Sequence, residues 1–199
     1  MINFLNISKD APHKKFVEYY KLAESAKQNL IEAASISSFS TSKNEVSARY
    51  VNLKYIKENE WIFFSNYESP KSIDFFEHNK IAVSFLWDSI NVQIRMKANI
   101  FKSSNEISDN HYRNRSLEKN ILAHSSNQSN QISSYDKVLE KYNLLKSDIK
   151  KIEKRPTNWG GFSFIPYYFE FWKGHKNRLN IRESFSFENK KWIKKFLEP

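Results

Sequence analysis

The scarcity of glycine constrains this chain more than any other feature. Its 199 residues hold three glycines, Gly160, Gly161 and Gly174, all in the last quarter. A G-x-G-x-x-G dinucleotide loop and a P-loop both need glycines where a strand meets a helix, so that backbone N–H groups can approach a phosphate. Neither can be built here. Other absences narrow the field further. There is no cysteine, which excludes disulfide staples, thiolate zinc sites and cysteine nucleophiles and is compatible with a reducing, cytoplasmic setting. None of His13, His78, His111, His124 and His175 forms H-E-x-x-H or another close metal pair, so no metal site is expected. No run of roughly 18 apolar residues exists, so no transmembrane helix is expected. The opening MINFLNISKDAPHKK lacks the apolar stretch of a secretory signal.

What is present points to a packed core and an anionic partner. Hydrophobic residues make up 40% and aromatic residues 16% of the chain, ample for one or one and a half domains. Lysine and arginine total 32 against 22 acidic residues, a formal charge of +10. Such a field attracts nucleic acid, a phosphorylated small molecule or an anionic membrane. Charge alone favours nucleic acid, so the arrangement must decide.

Apolar residues recur at helical steps over 13–34 (Phe16, Tyr20, Ala23, Ala26, Leu30, Ala33), predicting an amphipathic helix. The period then changes to two. Val46, Ala48, Tyr50 and Asn52 alternate with Ser47, Arg49, Val51 and Leu53, a hairpin with Ser-Lys-Asn at its turn. EWIFFSN is a further strand, and Ser69 with Pro70 starts a short helix. Strands are expected at 81–87 and 91–101, joined through Asp88-Ser89. A helical pattern follows Ser103, 121–135 reads as a serine-rich linker, and 135–152 as another amphipathic helix. GGFSFI, YYFEFW, RLNIRESFSF and KKWIKKFL read as four closing strands, with Pro166 at an edge or bend. The sum is an antiparallel barrel built from both ends of the chain, with helices outside.

Several segments carry candidate anion-binding residues. Arg49 and Lys54 lie five apart, which puts them on opposite faces of a strand. A site using both must sit near a strand end, a bulge or a twist; taken alone, they read as solvated charges on an edge strand. Lys71 near a helix start sits where N–H groups and the macrodipole favour an anion, although alone it is an ordinary surface lysine. Gln93 lies in a strand of apolar alternation, where its amide could serve a flat heterocycle or simply an exposed face. Gln128 and Ser129 fall in the polar stretch. Trp172, Arg178 and Arg182 bracket a basic turn, which equally describes a platform for single-stranded nucleic acid.

Together these segments resemble the pyridoxamine 5'-phosphate oxidase family. The likeness rests on R-x-x-x-L-K (Arg49 to Lys54), F-F-S-N-Y-x-S-x-K (Phe63 to Lys71), F-x-W (Phe85 to Trp87), Q-I-R-M (Gln93 to Met96) and N-Q-S (Asn127 to Ser129). It continues through W-G-G-F (Trp159 to Phe162), E-F-W-x-G with R-L-x-x-R (Glu170 to Arg182), and W-x-x-x-x-L-x-P (Trp192 to Pro199), in order from about residue 14 to the end. The resemblance implies a mainly β (α+β) fold: one FMN-binding split-barrel domain over 1–199, antiparallel and Greek-key-like, with flanking helices and dimerisation and substrate strands at about 159–199. It implies a cytoplasmic homodimer with FMN at the subunit interface, touched by both chains, and neither nucleic acid nor membrane as partner. FMN roles fall to Arg49, Tyr50, Val51, Asn52, Leu53, Lys54, Phe64, Ser65, Lys71, Gln93, Gln128, Ser129, Trp172 and Arg182. The family's lysine, tyrosine, arginine and serine around the substrate phosphate match Lys54, His111, Arg115 and Lys119, so two are kept and two changed. Its arginine and histidine at the substrate ring match Arg178 and Asn180, and an FMN-side arginine becomes Pro70. The changed pocket stays cationic, with His111 able to join at lower pH. The implied activity is FMN-dependent oxidation of pyridoxamine or pyridoxine 5'-phosphate to pyridoxal 5'-phosphate, oxygen becoming hydrogen peroxide, with Arg178 as the catalytic residue closing over the substrate. The alternative is a sibling oxidase of another anionic ring compound, such as a phenazine precursor.

Overall fold

A computed structural model describes the backbone of residues 1–199 and every side chain except that of Ile149. In chain order the elements are β1 (Asn3–Leu5), α1 (Ala11–Ser25), β2 (Ala33–Ser40), β3 (Glu45–Asn52), β4 (Tyr55–Lys57), β5 (Glu60–Asn66), α2 (Pro70–Glu77), β6 (Lys80–Trp87), β7 (Val92–Lys102), α3 (Asn105–Arg113), α4 (Leu117–Ser125), α5 (Tyr135–Lys146), β8 (Trp159–Lys173), β9 (Ile181–Glu188) and β10 (Lys191–Leu197). Short 3-10 turns occupy Asp88–Ile90 and Ile149–Ile152. All ten strands join one sheet, running β1-β4-β5-β8-β7-β6-β2-β3, with β9 and β10 added beside β8.

The long strand β8 organises this sheet. One edge pairs with β7 along its length. The other edge is divided: Trp159–Phe164 pairs with β5 and Tyr168–Lys173 with β9. The two strands expected at GGFSFI and YYFEFW are therefore one. Pro166 lies opposite Ala98, where the register with β7 shifts. A residue without an N–H is tolerated there, because the free edge is changing partner. The first half of β8 completes the barrel wall and the second half carries the β9–β10 hairpin.

The sheet wraps one aromatic core. Phe16 of α1 meets Trp61 at 4.5 Å, Trp87 at 5.3 Å and Phe85 at 5.4 Å between ring centroids, and all four are fully buried. Burying a side chain such as Phe16 contributes about 1.5–3 kcal/mol. The helical stripe Phe16, Tyr20, Ala23 faces this core, but the helix ends at Ser25 rather than at 34. Lys27 and Leu30 take left-handed backbone (φ 56° and 49°), Leu30 is exposed, and Ala33 already belongs to β2.

Other boundaries differ for local reasons. The hairpin of β2 and β3 turns through Thr41–Asn44 as expected, with Asn44 left-handed. Ser69 stands at the α2 N-cap, yet its hydroxyl donates to Asn66 O instead of capping the helix. The supposed linker at 121–135 begins as the end of α4, whose Ile121 is fully buried. The helix expected over 135–152 stops at Lys146. Arg178, Leu179 and Asn180 stay in the turn before β9. One pairing is parallel, β1 with β4, against the expectation of an antiparallel barrel throughout.

Candidate functional site

The edge strand β3, the start of α2, the end of α3 and the loop after α4 converge on a cavity of about 740 Å³. That is within the usual range for a small-molecule or cofactor site. β3 contributes Arg49, Tyr50, Val51 and Asn52. Lys54 follows in the short link before β4, so the odd spacing from Arg49 is accommodated at a strand end. Phe64 and Ser65 come from β5, Pro70 and Lys71 from the first turn of α2, and His111 from the last turn of α3. Arg115 precedes α4, Lys119 lies on it, and Gln128 and Ser129 follow it. Trp159, Asn114 and Ser116 also line the cavity. The sequence alone gave them no role: Trp159 meets Phe64, His111 and Arg115 only after folding, and the other two differ little from ordinary turn residues.

The cavity is electrostatically one-sided. Arg49, Lys54, Lys71, Arg115 and Lys119 line it, and among the described residues no carboxylate does. Arg49 is oriented from behind: it donates to Ser38 Oγ at 2.7 Å and lies 3.6 Å from Asp74 of α2. Burial lowers the Arg49 pKa and Asp74 works against this; an arginine keeps its charge regardless. Lys71 is only 8% exposed and donates to Ser69 Oγ at 3.1 Å. Burial first, and Arg49 second, pull its pKa down to about 8. Arg115 lies over the Trp159 ring at 4.1 Å, and its Nη1 is buried with no hydrogen-bond partner. A buried donor left unpaired is costly, and stacking on Trp159 holds this one in place.

The walls fix the polar groups. Gln128 Oε1 accepts from Ser65 Oγ at 3.3 Å and from the Asn66 N–H at 3.4 Å, tying the α4–α5 loop to β5. Ser129 is held in left-handed backbone, φ 69°. His111 stacks on Phe64 at 3.7 Å between centroids, and its Nδ1 is 2.8 Å from Tyr55 Oη. It joins the cations only at acid pH. Burial, then Arg115, Lys54 and Lys119, hold its pKa at about 4.

The remaining candidates lie elsewhere in the same chain. Leu53 is fully buried in the core. Gln93, Trp172 and Arg182 form one cross-strand row on β7, β8 and β9. Arg182 donates from Nε and Nη2 to Glu170 Oε1 at 3.0 and 2.9 Å. Burial pushes the Glu170 carboxyl up, but hydrogen bonds from Arg182, Tyr168 and Arg95 outweigh this and hold it below the usual range. Arg178 is left-handed (φ 59°) in the exposed turn, and Asn180 Oδ1 accepts from the His175 N–H at 3.0 Å. Neither lines the cavity.

A divided β8 beside a cavity lined by cations defines a split-barrel protein. The fold matches solved structures over nearly the whole chain. PhzG from Burkholderia lata 383, in complex with tetrahydrophenazine-1-carboxylic acid, superposes with a TM-score of 0.89 at 19% identity, covering 94% of this chain and 92% of that one. A pyridoxamine 5'-phosphate oxidase-related, FMN binding protein from Nostoc punctiforme superposes with a TM-score of 0.77 at 11% identity, covering 96% and 99%. Residues 159–199 match the model of the pyridoxine 5'-phosphate oxidase C-terminal dimerisation region. A pyridoxine/pyridoxamine 5'-phosphate oxidase of Christiangramia forsetii is 33% identical over 193 residues, 96% of this chain and 89% of the relative. One from Crocosphaera subtropica is 35% identical over 178 residues, 89% and 83%. The chain belongs to the pyridoxine/pyridoxamine 5'-phosphate oxidase family and is an oxidoreductase of that kind.

Proposed function

We propose that this chain oxidises pyridoxine 5'-phosphate and pyridoxamine 5'-phosphate to pyridoxal 5'-phosphate, with FMN as its cofactor. Oxygen is reduced to hydrogen peroxide, and the amine substrate also consumes water and releases ammonia. The observation that carries this reading is the cavity lined by five cations and, among the described residues, no carboxylate. Such a site fits a phosphate-bearing cofactor and a phosphate-bearing substrate together.

Arg49, Lys71, Ser65, Gln128 and Ser129 would hold the FMN phosphate, while Tyr50, Val51, Asn52 and Phe64 border the ring. FMN, when bound, supplies the acceptor for a hydride equivalent from the substrate carbon that bears the alcohol or amine. Lys54, Arg115 and Lys119 hold the substrate phosphate, and His111 adds a polar contact beside them. Trp159 and Phe64 keep water from one wall. Gln93, Trp172 and Arg182 do not line their own chain's cavity, so in this reading a homodimer brings the row of a second copy to the first copy's FMN. Arg178 and Asn180 would arrive in the same way, with Arg178 closing over the substrate. The lack of cysteine suits action in the cytoplasm.

The relatives at 33–35% identity carry the name of this activity, which favours it over oxidation of another anionic ring compound. His111 and Asn180 motivate that second reading. The deciding experiment gives the FMN-loaded protein pyridoxine 5'-phosphate and oxygen. Pyridoxal 5'-phosphate and hydrogen peroxide should form in equal amounts. A flavin-loaded protein that makes neither, yet turns over an aromatic carboxylate, would replace this reading with the second.

A further inference from the structure

Tyr55 lies outside the cavity lining, but it touches a residue inside it, His111. It is the first residue of β4, opposite Ile62 of β5 and Asn3 of β1. Its ring stands edge-on to Phe64 (6.1 Å, 85°) and to His111 (5.4 Å, 89°). The His111 ring is therefore held on two sides, stacked on Phe64 at 13° and closed in by Tyr55. Its Nδ1 is 2.8 Å from Tyr55 Oη. Its Nε2 has no hydrogen-bond partner among the described residues and is not sealed from solvent. Because His111 lines the cavity, Nε2 is the ring atom left to meet a ligand.

A hydrogen bond at one imidazole nitrogen decides which nitrogen carries the proton. Tyr55 Oη makes no other hydrogen bond among the described residues. If Nδ1–H donated to Tyr55, the phenolic proton would lack an acceptor and the Nε2 lone pair would confront an incoming anion. If the phenol donates to Nδ1, both groups are satisfied and Nε2–H meets the anion. Burial raises the Tyr55 pKa, which keeps the phenolic proton available.

We propose that Tyr55 is a positioning residue whose hydroxyl donates to His111 Nδ1 and so fixes Nε2–H towards the cavity as a donor to an anionic group of the substrate. His111 then adds direction to a site where Lys54, Arg115 and Lys119 add charge. The identity of the substrate rests on the oxidase reading; the tautomer does not.

The test has a spectroscopic arm and a kinetic arm. Nitrogen-15 spectra of histidine-labelled, FMN-loaded protein at pH 7, with His111 assigned through His111→Ala, should show the Nε2–H tautomer. Tyr55→Phe should shift the ring to a mixture of tautomers. With pyridoxine 5'-phosphate, Tyr55→Phe should raise KM about two- to tenfold, as expected for one lost hydrogen bond, with kcat nearly unchanged. In a His111→Ala background the same change should add nothing. An Nδ1–H tautomer in the parent protein, or a tautomer unmoved by Tyr55→Phe, would overturn the proposal. So would a Tyr55→Phe effect that survives the removal of His111. Absence of any turnover would count against the oxidase reading alone, and the spectra would still decide this one.

Discussion

Lys71 shows how much of the site hangs on a single side chain. It is nearly buried, has no carboxylate partner among the described residues, and burial lowers its pKa to about 8. A bound dianion favours its charged form, so FMN affinity should be steady below pH 8 and fall as pH rises through 8. Fluorescence titration across pH 6.5–9.5 should show this fall, and Lys71→Arg should flatten it. Lys71→Met should weaken FMN binding about tenfold to a hundredfold at pH 7, the scale of a hydrogen bond to a charged group. The cations were legible only through the family resemblance: taken alone, Arg49 and Lys54 read as solvated charges on an edge strand and Lys71 as a surface lysine. Tyr55 and Trp159 were not, because their roles come from rings that meet only after folding.

At the scale of elements, period was readable and termini were not. Alternation gave β3, β6 and β7 nearly to the residue. The helical stripe of α1 was correct at Phe16, Tyr20 and Ala23, then ran on by chance into residues that β2 uses. The three-residue strands β1 and β4 are too short to show any period, so their parallel pairing was hidden. Pro166 suggested a break between two strands, where β8 runs on, shifting register with β7 and changing partner on its other edge. The start of β8 also docks α3, which carries His111: the Gly161 N–H donates to Ser108 Oγ at 3.0 Å. A Cβ on Gly160 would overlap the Tyr67 hydroxyl and crowd Ser108 Oγ. Gly160→Ala should therefore destabilise the protein by about 1–3 kcal/mol. Calorimetry should register this as a Tm lowered by about 2–10 °C; an unchanged Tm would show that α3 yields freely.

Across the whole molecule, acid should loosen the fold through a histidine remote from the cavity. His13 is 1% exposed between Trp61, Phe169 and Trp192, with neither ring nitrogen hydrogen-bonded. Burial lowers its pKa to about 4, against a smaller opposing effect of Asp10. The unfolded chain takes up this proton near pH 6.5 and the folded chain resists until about 4. Stability is therefore lost as pH falls through that window, by about 3 kcal/mol from this residue. Urea midpoints should drop between pH 7 and pH 4.5, and His13→Leu should reduce the drop. His111, depressed in the same direction, should leave a residual slope.

The account as a whole depends on the cationic cavity gripping a phosphate of the flavin rather than its ring alone. Calorimetric titration of flavin-free protein with FMN and with riboflavin tests this directly. One FMN should bind per chain, and riboflavin, lacking only the phosphate, should bind at least about a hundredfold more weakly. Equal affinities for the two, or no binding of FMN, would contradict it.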